Sequence, residues 1–84
     1  MAAMTDQDIL ARITELVDRE HTLRSKATAG DLDPGTERAQ LANLEVQLDQ
    51  CWDLLRQRRA RIDQGVSPDD AQVNTANQVE GYLQ

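Results

Sequence analysis

Aromatic residues are nearly missing from this chain: it has no phenylalanine, one tryptophan (Trp52) and one tyrosine (Tyr82). Sheets lean on aromatic and β-branched side chains, so the shortage weighs against a β-sandwich or barrel. Cysteine occurs once, at Cys51. That excludes an intrachain disulfide, excludes a zinc site built on the cysteines of one chain, and fits a reducing compartment. Histidine also occurs once, at His21. No nucleophile–base pair stands at a recognisable spacing and there is no glycine-rich phosphate loop. No catalytic residue is assigned, no cofactor is implied, and the expectation is a protein that is not an enzyme. No apolar run approaches the ~20 residues of a membrane span. The opening Met-Ala-Ala-Met lacks the basic and apolar regions of a signal peptide. A soluble, cytoplasmic protein with no membrane partner is expected.

Positive charge is scarce as well. Nine Lys and Arg face fifteen Asp and Glu, for a net charge of −6 over 84 residues. Four arginines (Arg56, Arg58, Arg59 and Arg61) crowd into residues 56–61, so the rest of the chain sums to −10. Such a balance disfavours general nucleic-acid binding, which rewards a broadly basic face.

What the chain has in quantity is leucine, alanine, glutamine and charged residues, the composition of long helices. Ile9, Ile13, Leu16, Leu23 and Ala27 recur at steps of three and four, with Glu20 in the slot between Leu16 and Leu23. Leu10 and Val17 widen this seam. Thr5 is placed to cap the helix, with Asp6 and Asp8 in its first turn. Asp8/Arg12, Glu15/Arg19 and Glu20/Arg24 stand at the favoured i,i+4 spacing. The stretch GDLDPGTE, residues 30–37, reads as a turn, with Thr36 as the expected cap of the next helix. Beyond it, Leu41, Leu44, Leu48, Cys51, Leu55, Arg58 and Ile62 keep an unbroken 3-4 period. Trp52 and Leu54 flank that seam. Gly65 and then Pro68 stop it.

The fold class expected is therefore all-α: an antiparallel, coiled-coil-like hairpin over residues 5–65, with helices at about 6–29 and 37–64. An irregular C-terminal tail over residues 66–84 follows. A strip of Ala39, Ala42 and Val46 offers that tail a docking place. Core or dimer packing is assigned to Ile13, Leu16, Leu44, Leu48, Cys51, Trp52 and Leu55. The two apolar stripes are wider than one hairpin covers, so a homodimer forming a four-helix bundle is expected. Arg58 and Glu20 occupy seam positions about 18 Å apart along the hairpin. Each must then reach the edge or take its counter-charge from a second chain.

The segment LEVQLDQCWDLLRQRRA, residues 44–60, resembles a family of short actinobacterial proteins known as a domain of unknown function. DILARITELVDREHTLR and VEGYLQ extend the similarity over most of the chain. The resemblance implies a soluble cytoplasmic protein of this size, and brings no activity, cofactor or site residue.

For function, Arg56, Arg58, Arg59 and Arg61, together with Tyr82 and Leu83 of the tail, are the candidate contacts for an unidentified protein partner. The alternatives are a regulator binding nucleic acid or another polyanion through the same arginines, and a metal-binding bundle. The last rests on Asp18 and His21, three apart in DREH. No metal ligand is assigned, because helical phase puts both on the outer face. For the same arginines, the plainer reading is cations favoured at a helix C-terminus.

Overall fold

The computed structural model describes residues 4–83, apart from the side chains of residues 82 and 83. Three helices follow in chain order: α1, Asp6–Thr28; α2, Pro34–Asp63; and α3, Ala76–Leu83, with a single 3-10 turn at Pro68–Asp70. Among the described residues there is no strand. α1 and α2 pack along each other as an antiparallel hairpin, and α3 and the 3-10 turn both lie on α2. The molecule measures 51 × 26 × 21 Å.

Each helix boundary has a local cause. At the start of α1 the Thr5 hydroxyl accepts from the Asp8 N–H, while the Asp8 carboxylate accepts from the Thr5 N–H, a reciprocal capping box. The second helix begins three residues earlier than expected. Asp33, not Thr36, is its cap: the Asp33 carboxylate accepts from the Thr36 N–H at 2.8 Å, and Pro34 fills the first helical position. A proline there loses no hydrogen bond, because that N–H has no intrahelical partner anyway. Both long helices end alike. Gly30 and Gly65 take positive φ (81° and 77°), and the amides of Asp31 and Val66 reach back to the carbonyls of Lys26 and Arg61. This is the Schellman arrangement, which favours glycine because the left-handed conformation crowds a Cβ.

The seams meet in two clusters. Ile9, Ile13 and Leu54 form one, Leu16, Leu23 and Leu44 the other, and Leu48 and Cys51 pack against both. Leu55 and Ala71 join the first, and Leu32 and Leu41 the second. Leu54 and Trp52 were both expected to flank the seam, yet they differ. Leu54 is buried beside Ala71 of the returning tail, whereas Trp52 remains 45 % exposed. The tail crosses one side of the hairpin and leaves the other bare.

The tail also departs from expectation. It ends in α3 instead of an irregular segment. Thr75 and Gln78 bond reciprocally at its start, and Val79 is completely buried. Burial of an apolar residue on α2 supplies what the poor local propensity of residues 72–78 does not. Of the expected docking strip of Ala39, Ala42 and Val46, Ala39 and Ala42 stay exposed and only Val46 is partly covered. The tail is instead tied further along α2: Gln57 donates to the Gln72 carbonyl, Gln50 to the Asn74 carbonyl, and the Asn74 amide to Asp53.

Candidate interaction surface

Arg58 was expected to belong with its neighbours in a partner-facing cluster. The structure turns it inward. The residue is 8 % exposed, and its guanidinium is bonded to Asp6 at the start of α1, with Nη1 also donating to Asp69 Oδ1 (3.3 Å) and to the Pro68 carbonyl (3.2 Å). The hydrogen bond to Asp6 is the main reason its proton is held even more firmly than usual; Asp69 adds to this and burial opposes it. The seam charge thus finds its counter-charges in its own chain, from two segments far away in sequence. Glu20 pairs with Arg24 along its own helix. Of the three ion pairs expected along α1, Glu15–Arg19 and Glu20–Arg24 form. Asp8–Arg12 does not, because Asp8 is engaged in the cap while Arg12 bonds Glu15 and Gln47.

With Arg58 withdrawn, Arg56, Arg59 and Arg61 remain at the end of α2, none paired with an acid among the described residues. They do not form one patch. At about 100° per residue, Arg56 and Arg59 share a side of the helix with Trp52, while Arg61 projects from the other flank. Asp53, at ion-pair spacing from Arg56, is buried and its carboxylate accepts from Gln57 and Asn74. Tyr82 and Leu83, the expected tail contacts, lie outside the described side chains.

The surface that carries Arg56 and Arg59 is also where apolar side chains lie open. The pairs Asp6–Arg58 and Arg12–Gln47 fix the antiparallel register. Residues of α1 and α2 whose numbers total roughly 60–64 are level along the hairpin. Leu10 therefore stands beside Trp52, and Val17 beside Glu45. All three apolar residues (47 %, 45 % and 41 % exposed) project from the same side, above the partly covered Leu48 and Leu55. Sequence reading treated them as flanks of a seam. The missed signal is that the flanks of both helices fall on one side and form a continuous surface.

Elsewhere the chemistry is sparse. A shallow groove of about 570 Å³ on the opposite side has Leu23 and Leu44 as its floor and Glu15, Arg19, Lys26 and Gln40 along its rim. Partial burial pushes the Cys51 thiol up, with nearby Arg12 only partly opposing this, so it is a packing residue with little thiolate at neutral pH. Asp18 and His21 are both exposed, and no group of three potential metal ligands occurs among the described residues. On α3, Glu80 faces Asp49, with Glu45 also near. These carboxylates raise the Glu80 pKa, and its Oε1 is buried without a hydrogen-bond partner among the described residues. No helix among the described residues is long and apolar enough to cross a membrane.

Comparison with known proteins places the chain in a family. A family model described as "Protein of unknown function (DUF2630)" matches residues 5–84. Uncharacterized proteins of Mycobacterium tuberculosis and Mycobacterium bovis are 49 % identical over 78 residues, covering 93 % of this chain and 90 % of theirs. No solved structure matches. The chain belongs to the DUF2630 family of proteins of unknown function.

Proposed function

We propose that this chain is a non-enzymatic protein–protein interaction module acting in the cytoplasm. Residues 5–65 form a helical stem, and the tail from residue 66, described as far as residue 83, lies across it as a strap. The observation that carries this reading is the one-sided exposure of Leu10, Val17 and Trp52, bordered by Arg56 and Arg59. Tryptophan beside arginine at the centre of an otherwise helical apolar strip is the composition in which binding energy concentrates. The partner contact moves accordingly, from the four-arginine helix end to this face, with Arg56 and Arg59 at its border. The polyanion reading loses ground in the same step: Arg58 is consumed internally and Arg61 faces elsewhere, leaving two aligned cations on a chain of charge −6.

The test is affinity purification of the tagged full chain from its native host, beside a Leu10→Glu/Trp52→Glu variant that keeps its helical circular dichroism. The expected result is a protein retained in near-stoichiometric amount by the wild type, whether an untagged copy or another chain, and lost by the variant. An identical set of bound proteins in both would refute the reading.

A further inference from the structure

Resting on this reading, we infer that the occupant of the Leu10–Val17–Trp52 face is a second copy of the same chain, packed face to face and antiparallel. The two-fold axis crosses α2 between Gln50 and Cys51.

The exposed area is that of a chain with one face still to cover. A compact monomer of 9.4 kDa exposes about 5,000 Å², whereas this chain exposes 5921 Å². The surplus of about 900 Å² is close to the ~800 Å² that each partner gives up in an interface of ordinary size. Three of the exposed large apolar side chains, Leu10, Val17 and Trp52, lie on the side left bare by the tail.

Charge selects a copy of this chain over other partners. Along the edge of α2 that borders the apolar face, helical phase aligns Arg38, Glu45, Trp52, Arg56 and Asp63, all exposed. From the N-terminal end the charges run plus, minus, aromatic, plus, minus, and from the other end every sign is reversed. Reversing the row about the midpoint between residues 50 and 51 sets Arg38 against Asp63 and Glu45 against Arg56. Each cation thus meets an anion when α2 of one copy lies antiparallel on α2 of the other. None of these four residues pairs with an opposite charge among the described residues, so all remain available. The same operation brings the two Trp52 side chains to within about one helical turn of the axis, with Leu10 beside them. A self-complementary surface of this kind is what an isologous two-fold interface requires. All neighbouring helices in the resulting four-helix bundle run antiparallel, the arrangement that short-loop hairpins favour.

The test is sedimentation equilibrium of the purified full chain with four variants: Trp52→Glu, Glu45→Arg, Arg56→Glu and the double Glu45→Arg/Arg56→Glu. Within one chain residues 45 and 56 are about 16 Å apart along the helix, so recovery in the double variant reports a contact between chains. The wild type is expected to be a dimer and Trp52→Glu a monomer of unchanged helicity. Each single charge reversal should weaken dimerisation about tenfold, since it makes two like-charge contacts per dimer, and the double reversal should restore it. A monomeric wild type, or a double variant as weak as the singles, overturns the inference. A monomer that still captures another protein through Trp52 overturns only the twin and leaves the interaction reading standing. A monomer that captures nothing overturns both.

Discussion

Arg58 is the least comfortable residue to place in this molecule and the most informative. A guanidinium in a leucine seam costs several kcal/mol unless its donors are met. It is met by Asp6, Asp69 and the Pro68 carbonyl, and so joins the start of α1, the end of α2 and the tail at one point. Replacing it with methionine keeps the bulk and removes the ties. Asp6 and Asp69 are largely exposed and regain water, so the expected loss is about 1–2 kcal/mol, read from urea unfolding. Protease cleavage within residues 66–75 should become faster. Glu80 supplies a second prediction at this scale. Its pKa is raised above the ordinary 4.5 by Asp49 first, then by burial and Glu45. The docked form therefore binds the proton more readily than the undocked form. Docking of α3 strengthens as pH falls from neutral through the raised pKa, and stops gaining below 4.5, where the undocked carboxyl is protonated too. The amide of Val79, which bonds the Thr75 carbonyl, should gain exchange protection over that window, and Glu80→Gln should abolish the dependence. Neither residue could be read from local pattern. The seam position of Arg58 was plain, but its partners lie 52 and 11 residues away in sequence, where periodicity carries no information.

At the scale of elements, the signals that proved legible are short-range ones. The Thr5 cap, the glycine stops and the 3-4 period of both helices follow from neighbours within one or two turns. The start of α2 was missed because Asp33-Pro34 and Thr36 offer competing caps, and the proline at N1 favours the earlier one. The short C-terminal helix was missed for another reason: its stability comes from Val79 buried on α2, a tertiary effect that overrides propensity. Thr5→Ala should cost about 1 kcal/mol, because it removes the side-chain half of the capping box, and fraying should be confined to the first turn of α1 in amide exchange. The other half of the box is the Asp8 carboxylate, whose pKa the hydrogen bonds to Thr5 hold below its ordinary 3.8. Its contribution is therefore present above 3.8 and is lost as pH falls through the lower folded value. A first turn that melts equally at neutral and strongly acidic pH in the wild type would contradict this assignment.

At the scale of the whole molecule, a hairpin with one strapped side and one bare side explains why the sequence carries more apolar surface than its fold hides. The width of the stripes was legible in the sequence. Which flank would be covered was not, since that depends on the side to which the tail returns, and the return is fixed by side chains reaching tail carbonyls at Gln72 and Asn74. The same geometry corrects the placing of the partner contact. Arginines adjacent in sequence are split between an internal anchor, the border of the apolar face and the opposite flank. The account rests on that bare face being covered in solution, and Trp52, the sole tryptophan, reports on it directly. Its fluorescence should be blue-shifted in concentrated protein and move steadily to the red on dilution as the second copy leaves. A red, water-exposed emission that does not change with concentration would contradict the account.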